Sequence, residues 1–210
     1  MKTPIGKVTG VVGTGALILA AVVGCGDNSK SSPSSSSSSS ASSSASSSES
    51  STASSSAAAQ PSDYSGLLIK DADITAPEPF VADKPLLNPG GHPGVAVAFK
   101  NADGSHVIGD TVMVLDTADA ANAALKAAVS QLGESVTGAQ PAPTPVGANG
   151  TLATGKSPDG AKSVTILLFT QGRAFASLEF DGPPGADPPP DFVTDVGQKQ
   201  AAAIKAGLPG

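Results

Sequence analysis

From Gly26 to Pro61 the chain is almost entirely serine and alanine, interrupted by residues such as Lys30, Pro33, Glu49 and Thr52. No other feature limits so strongly what this chain can fold into. Serine and alanine bring too little apolar surface to offset the entropy lost on ordering a backbone. The tract is therefore expected to be a disordered tether. About 35 residues of this composition reach roughly 30–35 Å on average. All six phenylalanines and the single tyrosine lie beyond it, at Tyr64, Phe80, Phe99, Phe169, Phe175, Phe180 and Phe192. The composition thus predicts one globular domain over residues 62–210, a length suited to a single core.

Ahead of the tract the chain reads as an export leader. Lys2 and Lys7 supply positive charge, and an apolar stretch follows from Val11 to Val23, broken by Gly13 and Gly15. That layout matches the charged and apolar regions of a signal peptide. The stretch is shorter than the roughly 20 apolar residues needed to span a bilayer. It ends in Val22-Val23-Gly24-Cys25, and Cys25 is the only cysteine of the chain. This segment resembles a bacterial lipobox, with Val22 where leucine is commonest. The resemblance implies removal of residues 1–24, a diacylglyceryl thioether on Cys25, and a mature chain whose residues 25–61 link lipid to domain. Each buried acyl methylene contributes roughly 0.8 kcal/mol, so two or three chains anchor firmly. The implied partner is a membrane, reached through Cys25, and the implied location is its extracytoplasmic face.

With Cys25 used for lipidation, the domain holds no disulfide, and its core alone must stabilise it. There is no Cys-x-x-Cys pair and no cysteine–histidine cluster. The net charge is -6, and Arg173 is the only arginine. Such an acidic chain is unsuited to nucleic acid, whose phosphates demand clustered cations.

Periodicity places the elements of the domain. Leu67 to Ile74 reads as a strand or a helical turn. Val95–Phe99 and Val107–Leu115 read as a hairpin about the Asn101–Gly104 turn, with Gly109 as a bulge. Ala121, Ala124, Leu125, Ala128, Val129 and Leu132 recur at helical spacing. Asp116 or Thr117 would cap that helix, and Gly133 would end it. Strands follow at Gly150–Lys156, Lys162–Thr170 and Ala174–Phe180. The second is apolar enough to be covered on both faces. Gly182 to Pro190 is too proline-rich for a ladder and reads as an exposed loop. Asp191 would cap a last helix running to about Ala206, with Phe192, Val193, Val196, Ala203 and Ile204 toward the sheet. The expected fold is α+β, a mostly antiparallel sheet with two packed helices in the order β-β-α-β-β-β-α.

Catalytic patterns are scarce. There is no Gly-x-Ser-x-Gly and no Ser-x-x-Lys, no His-Glu-x-x-His and no EF-hand loop, and no glycine-rich nucleotide motif. No cofactor is expected. His92 and His106 both sit in turn-rich loops, where with Asp103 or Asp110 they would be the only candidates for a metal. Their ordinary reading is solvated loop side chains. Asp71 with Asp73, and Asp187 with Asp191, are the carboxylate pairs best placed in sequence, and capping or turn roles explain them better. Arg173, beside Gly172 at a hairpin tip, is a candidate for gripping a carboxylate or phosphate. With His92 it makes up the candidate ligand contacts.

Three segments carry a further likeness. They are Leu67 to Ile74 (Leu-Leu-x-x-Asp-Ala-Asp-Ile), the Val-Met-Val-Leu strand running into an alanine-rich helix (Val112 to Leu132), and the closing strand and helix. Their order is similar to the extracellular sensor domain of PknH-type serine/threonine kinases and its lipoprotein relatives. The chain as a whole looks like the small envelope lipoproteins of mycobacteria and related actinobacteria. Those sensor domains carry disulfides, and this domain has no cysteine to make one. The likeness implies a non-catalytic module that binds an envelope ligand or a partner protein. The alternatives are an envelope hydrolase using Asp and His, and a structural surface antigen without a pocket. A binding module is expected to hold an apolar cavity, and a hydrolase to gather His92 or His106 with acids in one cleft.

Overall fold

The computed structural model describes residues 63–208. The leader, Cys25 and the serine/alanine tract lie outside the described residues.

The chain enters through two 3₁₀ turns, Ser65–Leu67 and Asp71–Asp73, joined by extended backbone. Two short strands follow, β1 (Val81–Ala82) and β2 (Leu86–Leu87). Then come β3 (Gly94–Lys100), β4 (Val107–Val114), the helix α1 (Ala118–Ser135), β5 (Ala142–Pro143), β6 (Ala148–Lys156), β7 (Ser163–Gln171), β8 (Ala174–Gly182) and the helix α2 (Pro190–Gly207). The strands form one antiparallel sheet in the order β1-β3-β4-β8-β7-β6-β5, with β2 also paired to β3. The α+β architecture is as expected. β1, β2 and β5, two residues each, are too short to leave a periodic signal.

Both faces of the sheet are covered, by different elements. Thr170 of β7 donates to the Asn122 side chain of α1 at 3.1 Å, which sets α1 over the face bearing Val164, Ile166, Leu168 and Thr170. The opposite face carries Leu167 and Phe169, and through cross-strand pairing Leu178, Asp110 and Val97. α2 closes on this face through Gly197. A Cβ there would lie 2.4 Å from Leu167 Cδ2 and 3.0 Å from Val146 Cγ1, so only glycine permits the approach. Double coverage explains why Ser163 to Thr170 are all buried.

The segment before β1 belongs to the same layer as α2. Gln200, fully buried on α2, accepts the Ile69 N–H at 2.9 Å and donates to the Leu67 carbonyl at 2.7 Å. Its amide thus acts as a strand partner for a stretch of backbone that the sheet leaves unpaired. Tyr64, Leu67, Leu68, Ile69 and Ile74 are thereby brought into the core.

Several local expectations are corrected. Thr117, not Asp116, caps α1, accepting the Ala120 N–H at 3.1 Å. Gly133 lies inside the helix, which ends at Ser135, and the left-handed conformation falls to Gly138. Exposure of Gly133 explains this, since without a neighbour to crowd it glycine costs the helix only propensity. Gly109 pairs in continuous register with Ala98 and makes no bulge; the irregularity lies between Ala148 and Thr151 of β6. Asp191 is not a cap. The last helix starts at Pro190, a position where a missing N–H costs nothing, and Asp191 sits in its first turn.

Candidate functional site

At the β3–β4 turn end of the sheet a cavity of about 370 Å³ opens on the α2 face. Its walls come from four stretches of chain: Thr75 to Phe80, the start of β4, the end of β8 with the loop beyond it, and Phe192 of α2. Phe80, Ile108, Phe180 and Phe192 give it an apolar interior. Phe180 and Phe192 meet edge to face, with ring centroids 6.0 Å apart and planes at 74°. Such contacts hold aromatic walls in fixed orientation. A concave, mostly apolar volume of this size is what a small-molecule site needs.

The proline loop is what closes the cavity on one side. Gly182 ends β8, and a Cβ there would come 2.8 Å from the Ala186 carbonyl and 3.3 Å from His106 Cδ2. The absence of a side chain lets residues 183–189 fold back across the strand end. Ala186, Asp187, Pro188 and Pro189 then line the opening. An exposed loop by composition is here a wall.

His106 lines the same cavity. Its Nδ1 lies 3.3 Å from Asn101 Nδ2 and 3.2 Å from Ser105 Oγ. Buried Asn101 organises this corner. It donates to Glu78 at 2.7 Å and accepts the backbone N–H of His106 at 3.0 Å. Asp103 is the acceptor for the Ser105 hydroxyl at 2.6 Å and for its N–H, bonds that hold the Asp103 carboxyl below its ordinary range. None of these carboxylates forms a hydrogen bond with the imidazole of His106. Asp181 also lines the cavity, but strand alternation turns its carboxylate to the α1 face, where Lys162 meets it at 2.8 Å. Beside it, burial and the Asp181 charge hold Glu179 above the usual carboxylate range.

The two candidate ligand contacts from the sequence lie elsewhere. His92 is exposed and precedes β3, and the neighbouring Pro93 carbonyl accepts the Val114 N–H. Arg173 Nη1 donates to the Leu115 carbonyl at 3.1 Å, and Leu115 N–H donates back to the Arg173 carbonyl at 3.0 Å. Both residues therefore sit at the C-terminal end of β4, while the cavity sits at its N-terminal end. Eight residues of β4 separate the two ends, roughly 24 Å. Strand direction likewise parts His92 from His106, so the two histidines do not share a site. Asp71 and Asp73 accept backbone N–H groups within their own turn. Among the described residues no three His, Cys, Asp or Glu side chains gather where they could hold a metal.

The strongest electrostatic anomaly is Asp110. It is fully buried, and neither carboxylate oxygen has a hydrogen-bond partner. Desolvation raises its pKa to about 8. Asp110 shares its sheet face with Ile108, two residues and roughly 7 Å further along β4 from the cavity floor.

No protein-family model matches this chain, and no curated protein sequence matches it. Among solved structures, the chain is similar to the extracellular domain of PknH from Mycobacterium tuberculosis. Sequence identity is 11%, the match covers 67% of this chain and 91% of that one, and the TM-score is 0.46.

Proposed function

We propose that this is a lipid-anchored envelope protein whose domain is a non-catalytic binding module, taking a small, largely apolar ligand into the cavity between the proline loop and the segment Thr75–Phe80. The cavity carries this reading: aromatic and aliphatic walls of about 370 Å³, with its polar groups confined to a few positions. Hydrolysis would ask for a base oriented by a carboxylate. His106 instead neighbours an amide and a hydroxyl.

Nile red, a neutral dye that brightens in apolar surroundings, is expected to bind the full chain and fluoresce. Filling the cavity with Ala76→Trp should weaken that binding about tenfold, the effect of losing one well-packed apolar contact set. Equal binding to both proteins, with the fold intact by circular dichroism, overturns the assignment. Anchoring has its own test. In the lipoprotein reading, Cys25→Ser moves the protein from the membrane fraction to the soluble one or leaves its leader uncleaved. Unchanged membrane partitioning at the normal mature size overturns it.

A further inference from the structure

We propose that the cavity selects a cationic amphiphile, with its apolar part among Phe80, Ile108, Phe180 and Phe192 and an ammonium group at the mouth beside Glu78 and Asp187. This rests on reading the cavity as a ligand site and adds the charge of the ligand's head.

The argument is charge complementarity. None of the residues lining the cavity is a lysine or an arginine. Two acids at the mouth, Glu78 and Asp187, are exposed. The known partner of Glu78 is the neutral Asn101 amide, which orients the carboxylate without cancelling its charge. Two further charges near the cavity, Lys199 and Asp181, are already matched. Lys199 reaches Thr75 Oγ1 at 3.2 Å, but its ammonium is bound to the Asp195 carboxylate and the Asp73 carbonyl, each at 2.8 Å. Asp181 is matched by Lys162 on the far face. What remains at the opening is an uncompensated negative field above aromatic rings. An ammonium there gains from both carboxylates and from ring faces within reach. A carboxylate, sulfate or phosphate head would meet two like charges and no lysine or arginine, with the His106 imidazole the one basic group in the lining. A neutral head gains and loses little.

Three ligands with the same ten-carbon chain separate these cases: decyltrimethylammonium, decanol and decanoate. Each is titrated into the isotope-labelled full chain at pH 7.5 and low salt, below its micelle-forming concentration, and followed by amide chemical shifts. The expected order of affinity is cation, then alcohol, then anion, with about tenfold between the extremes, as two partly screened charge contacts allow. The shifts should centre on Ile108, Phe180 and Gly182. The double variant Glu78→Gln/Asp187→Asn should shrink the cation–anion gap to about twofold, and added salt should shrink it in the parent protein. Decanoate binding as tightly as the cation, or a cation whose shifts scatter over the acidic surface instead of the cavity, overturns the head-group assignment. If decanol still binds at the cavity in that case, the ligand site itself stands. Failure of all three to bind there overturns both.

Discussion

Asp110→Asn is expected to raise the stability of the domain by about 4 kcal/mol at pH 7, from the difference between its folded and unfolded proton affinities. An ordinary aspartate ionises near pH 3.8, and burial in this core lifts Asp110 to about 8. Between those values the folded state keeps a proton that the unfolded state has released. The contribution of Asp110 to stability is therefore greatest below pH 4, falls as pH rises toward 8, and is level beyond, where both states are ionised. Asparagine has no such proton to lose. Urea unfolding of both proteins from pH 4 to pH 9 should give a curve that descends more steeply for the parent than for the variant, in which the raised Glu179 still contributes a fall. A parent curve that is flat across this window would show that Asp110 ionises freely in the folded state. Asp110→Val, which also removes the unsatisfied oxygens, is expected to be at least as stable as the asparagine variant.

The second large effect has the opposite sign. Gln200→Leu should cost about 2–4 kcal/mol, because the Ile69 N–H and the Leu67 carbonyl are both left buried without a partner. The loss should be local before it is global. Amide exchange is expected to quicken first at Ile69 and through the 3₁₀ turns, well before β7 or α2. That segment leads directly into Thr75–Phe80, one wall of the cavity. Ligand binding should therefore weaken in Gln200→Leu even where the sheet is intact. Gln200→Glu keeps the shape and the bond to Ile69, but it sets an acceptor against the Leu67 carbonyl. It is expected to be as damaging as leucine. A leucine variant with parental stability and parental exchange at Ile69 would remove Gln200 from this role.

Elements with a strong internal period were legible in the sequence. The unbroken apolar run of β7 announced a strand covered on both faces, and the spacing of Ala121, Leu125, Ala128 and Leu132 announced the buried stripe of α1. What escaped depends on partners far away along the chain. Gln200 looks like a solvent residue on a helix, and its two partners are 131 and 133 positions earlier. Asp110 fell within the expected strand Val107–Leu115 and drew notice only as a possible metal ligand beside the histidines. Its alternation with Ile108, Val112 and Val114 was the signal that placed it inward, and an acid at an inward position argues against its own burial. The cavity draws on four separated stretches, so no local pattern contains it. Its proline loop read as exposed, and the fold-back permitted at Gly182 turned it into a wall. Arg173 and His92 stood out in the sequence for being rare, and rarity says nothing about which end of a strand a residue occupies.

The buried run of β7 also has a meaning before folding is complete. Val164 to Thr170 is an uncharged heptapeptide free of proline and glycine, the composition that stacks into cross-β zippers when several copies meet. Lys162 stands just before it and Arg173 just after, like-charged sentinels that discourage such stacking. The two-residue link to β8 lets the nascent strand find a neighbour within its own chain on a microsecond timescale. A longer connection at Gly172-Arg173 would slow that first pairing, and the penalty would surface as inclusion bodies during expression.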